Sequence, residues 1–200
     1  MSRIRLCLVA LLAVGVPLGA QQVPTPDQQI AAALLPLPEP LRAGAGVRGF
    51  TSNRERVTLR PSTNGIVCSG DWPGDDQFDV RCYNAEFLAV IDFTRGLYQE
   101  GLGDSLVEER VKAAVDSRAI HLPGYPTAGY RMLGPIVAYD GSTNTAGAAI
   151  EKWQSVHFPF LTAAEIGLPT EPEGTMPYVM ASGSWWAHVM IEHLPEHENR

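Results

Sequence analysis

Between Val57 and Tyr83 the chain alternates in the period of a strand. Val57 and Leu59, then Ile66 and Cys68, then Phe78, Val80 and Cys82 fall on one side, separated mainly by polar or small residues. The pattern predicts three strands joined in order as a meander. Asn64-Gly65 accepts the positive φ of a reversal, which places the first turn at Pro61 to Gly65. Cys68 and Cys82 share the apolar side with their neighbours, so a bond between them needs no change of register.

After Cys82 the period changes to 3.6. Phe87, Val90, Ile91, Thr94, Leu97 and Tyr98 share a helical face, Asn84 is a natural cap, and Gly101 and Gly103 end the run. Ser105-Leu106-Val107-Glu108 fits a capping box ahead of Val111, Ala114 and Val115, so a second helix follows at once and pairs antiparallel with the first. Upstream, Asp27 caps a short helix with Ile30 and Leu34 on one face, ended by Pro36. Residues 45–50 form a first strand, and Arg54 to Arg56 form a solvated approach to the meander. Downstream, strands are expected within 128–133, 136–139, 149–160 and 178–191, a helical turn after Thr162, and a loop over 140–147. The fold class is α+β: an antiparallel sheet built on a disulfide-linked meander and packed by two consecutive helices.

The two ends and the charge set the compartment and exclude some partners. Arg3 and Arg5, the apolar run Leu6 to Val16 and the small-residue exit to Ala20 read as a signal peptide over residues 1–20. A flexible leader is expected over 21–26, one domain over 27–194 and a polar tail over 195–200. The net charge is -7, and loss of Arg3 and Arg5 leaves about -9. With no basic run, nucleic acid is not an expected partner. After residue 20 no apolar stretch is long enough to span a bilayer. A periplasmic or secreted chain then retains Cys68 and Cys82, an even pair in an oxidising compartment and so a disulfide.

Two groups of side chains are candidates for chemistry. On a strand, Trp186, His188, Met190 and Glu192 point one way, while Ala187, Val189 and Ile191 point the other; Trp153, Ser155 and His157 alternate likewise with Val156 and Phe158. If those strands are neighbours, Trp153, His157, Trp186 and His188 line a pocket in which imidazoles bind a ligand, hold zinc or move protons. Packed histidines bonded to backbone explain the same residues without function. Haem held by His188 with Met190 or Met132 is a further possibility. His193 and His197 belong to the tail. The second group, Asp71, Asp75, Asp76 and Asp79, offers oxygen ligands to calcium, although its spacing is not that of an EF-hand and a solvated turn explains it equally. Nucleophile elbow, zinc-protease, phosphate-loop and dinucleotide motifs are absent.

The ordered set Leu59-Arg60, Thr63-Asn64-Gly65, Cys68, Cys82-Tyr83 and Trp186-Ala187-His188-Val189-Met190 resembles a loosely defined group of secreted bacterial proteins without an established role. The resemblance implies bacterial export and brings no reaction or ligand. The expected function is non-enzymatic binding of a small molecule or envelope component through the Trp/His strand faces. The alternative is a metal-assisted or hydrolase-like enzyme using His157, His188 and Glu192.

Overall fold

The computed structural model describes residues 23–192. The expected signal peptide and the tail, including His193 and His197, lie outside the described residues. In chain order the elements are α1 (Pro26–Ala33), α2 (Glu39–Arg42), β1 (Gly46–Phe50), β2 (Arg56–Arg60), β3 (Ile66–Ser69), β4 (Gln77–Asn84), α3 (Phe87–Gln99) and α4 (Asp104–Asp116). There follow β5 (Thr127–Pro135), a 3-10 turn (Ile136–Ala138), β6 (Tyr139–Asp140), β7 (Thr145–Ala146), β8 (Glu151–His157), α5 (Ala163–Ile166), β9 (Tyr178–Met180) and β10 (His188–Glu192).

An eight-stranded sheet runs in the order β2-β1-β3-β4-β5-β8-β10-β9, and every pair is antiparallel except β1 with β3. The α+β class, the mostly antiparallel sheet and the helices packed on it are as the sequence predicts. The order of the first strands is not. β1 enters between β2 and β3, so the expected β2-β3-β4 meander is replaced by a β1-β2 hairpin and a crossover to β3. Burial gives the reason. β1 is buried at nearly every position and needs a neighbour on each side, whereas β2 carries Arg56, Thr58 and Arg60 and suits an exposed edge. Gly65 takes the anticipated positive φ of 77°, but residues 61–65 lean on the α2–β1 junction, where Thr63 N–H donates to Gly44 O.

The sulfur pair forms as predicted. Cys68 and Cys82 are direct partners across β3 and β4, bonded at 2.03 Å, and both are fully buried. With Phe78, Val80, Met132 and Val47 of β1 they face α1 and the segment after it, where Ala33 and Leu37 complete the core. α1 starts earlier than expected: Thr25 accepts from Gln28 N–H and Gln28 reaches back to Thr25 N–H, while Asp27 lies in the first turn. Thr25 and Pro26, assigned by pattern to the flexible leader, thus belong to the cap and the helix.

The opposite face is covered at one end by α3 and α4, through Phe87, Val90, Leu97, Val107 and Val111 packed on Tyr83. Asn84 accepts from Glu86 N–H ahead of α3. The capping box at Ser105 does not form, because α4 begins after Gly103 and takes Ser105 into its first turn. The helical turn after Thr162 is as expected, closed by Thr162, Glu165 and a left-handed Gly167. Pro135 turns the chain out of β5, so residues 136–138 form a 3-10 turn, and residues expected as a plain loop supply β6 and β7. Arg56, expected in solvent, is a half-buried strand residue.

Candidate functional site

The α3/α4 side of the sheet carries the candidate chemistry because the strand period puts it there. One rung crosses six strands: Arg48, Ser69, Arg81, Arg131, Trp153 and Glu192 are successive partners. A second rung aligns Thr127, His157, His188 and Met180, and a third aligns Gly129, Ser155, Met190 and Tyr178. β8 and β10 are therefore neighbours, as the sequence expectation requires, and His157 sits directly opposite His188. Trp185 and Trp186 lie in the turn before β10 rather than on it, and from there Trp186 folds over the same rings.

The two imidazoles stack, with centroids 4.9 Å apart and planes 30° from parallel. Trp186 lies 4.5 Å from His157, and Tyr83 and Phe87 close the other sides of that ring at 5.7 and 5.1 Å. Gly129 makes the convergence possible. A Cβ there would meet Ser155 Oγ at 2.6 Å and His157 Nε2 at 2.8 Å. The pocket so formed has a volume of about 300 Å³, with Trp153, Tyr178, Met180 and Met190 also on its wall. Trp153, His157, Trp186, His188 and Met190 are thus brought together. Glu192 stands four positions beyond His188 on β10, opposite Trp153.

Both imidazoles are held neutral near pH 7. Burial, with a smaller contribution from His188, pushes His157 down to about 3. Burial also lowers His188, against the opposing effect of its bond to Trp186. A carbonyl only accepts, so His188 Nδ1–H donates to Trp186 O at 2.7 Å and Nε2 keeps the lone pair. His157 Nε2 is 3.2 Å from Ser155 Oγ, while its buried Nδ1 has no hydrogen-bond partner among the described residues. A serine beside an imidazole suggests acyl transfer, but a base this weak, with no carboxylate on its second nitrogen, is poorly matched to removing a hydroxyl proton. The haem alternative through Met132 fails on geometry, because Met132 belongs to the core on the disulfide side of the sheet.

The aspartate group does not form the calcium site considered from the sequence. Asp79 faces the central rung, where Arg81 donates to it and Arg131 grips it through Nε and Nη2, each at 2.9 Å. Burial alone would raise its pKa; the bonds from Arg81 and Arg131 outweigh burial and lower it. Asp71 accepts from Asp79 N–H and is pushed up to about 7, chiefly by burial, which leaves a poor cation ligand. Asp75 accepts from Gln77 N–H. Among the described residues no group of three or more His, Cys, Asp or Glu is placed to hold a metal ion.

A larger cavity, about 870 Å³, went unseen in the sequence. It lies between the β1–β4 end of this face, α3, the start of α4 and the turn carrying Trp185. Phe50, Trp72, Ile91 and Tyr98 supply apolar wall, and Arg81, Tyr83 and Trp186 separate it from the histidine pocket. Its residues come from five separate stretches, and no local pattern links them. Among the described residues no helix is long and apolar enough to cross a membrane.

Comparison with known proteins finds no matching family model, no matching curated relative and no matching solved structure. The likeness to exported bacterial proteins therefore rests on the short motifs alone.

Proposed function

We propose that the chain is an exported, non-enzymatic domain that binds a small planar molecule in the pocket between β8, β10 and Trp186. The observation that carries this reading is the His157–His188 stack beneath Trp186, on the wall of a cavity of about 300 Å³, with Gly129 leaving room for Ser155 and His157 to converge there. Aromatic and thioether walls favour a flat apolar body. His188 Nε2 and Ser155 Oγ supply a few fixed polar contacts, the composition of a small-ligand site. The buried disulfide fits an oxidising compartment, periplasmic or extracellular.

The hydrolase-like alternative has one observation in its favour, the Ser155–His157 contact. The depressed basicity of His157 counts against it. Calorimetric titration with indole, a neutral planar probe, tests the binding reading. Saturable one-to-one binding with a dissociation constant of about 1 mM or tighter is expected for so small a probe. His188→Asn, which retains a donor for Trp186 O, should weaken it about tenfold while the chain stays folded. Equal affinity in the folded variant would refute the site. Turnover of p-nitrophenyl acetate that disappears in Ser155→Ala would favour the hydrolase.

A further inference from the structure

The wall of the 870 Å³ cavity carries Asp71, Asp75, Asp79, Asp104 and Glu108 against Arg56, Arg81 and Arg95, so what matters for an anion is which groups already have partners. The acids are each engaged. Asp79 is gripped by Arg81 and Arg131, Asp104 accepts from Tyr98 OH at 3.1 Å, and Glu108 accepts from Trp185 N–H at 3.2 Å. Asp71 and Asp75 accept from the backbone N–H groups of Asp79 and Gln77. Among the cations, Arg95 shares Asp92 with Arg48, at 2.9 and 2.7 Å.

Arg56 is left over. Its side chain has no ion pair or hydrogen bond among the described residues, and its Nη1 is buried without a partner. Its guanidinium lies over the Phe50 ring, 4.9 Å from the centroid. Burial, then repulsion from Arg95 and Arg48, lowers its pKa to about 10, and Asp92 offsets little of this. A half-buried guanidinium with no counter-ion, beside two more arginines that share one carboxylate, is unfavourable by itself. A bound anion would relieve it.

We infer that this cavity is a second binding site, distinct from the histidine pocket, for a small organic anion: its carboxylate, sulfonate or phosphate on Arg56, its apolar body against Phe50, Trp72 and Ile91. The chain as a whole is acidic, with a net charge of -7, so general attraction of anions does not account for such a site. The fork of Arg56 supplies two donors to one anionic group, and the aromatic wall selects for an attached ring.

The test uses 1-anilinonaphthalene-8-sulfonate, an aromatic anion whose fluorescence reports binding, and N-phenyl-1-naphthylamine, which has the same rings without the charge. The full mature chain should bind the sulfonate at one site, and Arg56→Gln should weaken it about tenfold or more. His188→Asn should leave it within about twofold, which separates this site from the histidine pocket. Because the unpaired charge is removed, Arg56→Gln should melt at or above the temperature of the unmodified chain when no ligand is present. Binding unchanged in Arg56→Gln would overturn the inference, as would equal affinity for the neutral amine. Loss of binding together with a lower melting temperature would show Arg56 to be structural and overturn it too.

Discussion

At the scale of single residues, His157 dominates the pH behaviour. In the folded chain it stays neutral down to about pH 3, whereas unfolded it takes up a proton near 6.5. Between those values the unfolded state binds more protons, so stability falls as pH drops, by up to about 1.4 kcal/mol per pH unit from this residue. Asp71 acts in the opposite sense. Its folded pKa is raised from 3.8 to about 7, so its contribution is present below pH 3.8 and lost as pH rises through 7. Urea melts between pH 4 and 7 should show a shallower acid loss in His157→Gln and a steeper one in Asp71→Asn. A His157→Gln curve parallel to that of the unmodified chain would contradict the assigned protonation. Gly129→Ala tests packing at the same place: the added methyl meets Ser155 and His157 and should cost about 1–3 kcal/mol while abolishing indole binding.

At the scale of elements, the sulfur bridge holds β3 to β4 and has no role in either pocket. It joins residues 14 apart in sequence, and a loop of that size contributes about 3 kcal/mol on the chain-entropy model. Replacing both cysteines by alanine should lower the denaturation midpoint accordingly and leave indole affinity unchanged once folded. A variant that loses affinity while folded would tie the bridge to the site. The bridge and the helix pair were legible in the sequence, because each rests on a local period or on the parity of a strand; the facing of His157 and His188 was legible only on the condition that their strands pair, which no local pattern decides. The β1 insertion was not. Val57, Leu59 and Ile66 alternate correctly in either topology, and only the two-sided burial of β1 decides between them. Trp186 was placed on a strand by the same parity, yet the turn before β10 delivers it to the same rings.

At the scale of the molecule, the sheet divides the labour. One face packs the disulfide core against α1, with a cavity of about 450 Å³ between α1, Phe78 and Tyr139; the other is only partly roofed by α3 and α4, and the histidine pocket and the cavity around Arg56 lie along it. The cavity around Arg56 was illegible because Phe50, Arg56, Trp72, Arg95 and Trp185 meet only after folding. The proposed site requires His157 and His188 to be neutral partners in one pocket. Long-range nitrogen–proton NMR of the imidazoles at pH 7, followed through a titration with indole, reads both properties at once. The expected result is His188 protonated on Nδ1, with saturable shifts at His157 and His188 and none at His121, whose side chain is 82% exposed. Charged imidazoles at positions 157 and 188, or shifts no larger than those of His121, would contradict it.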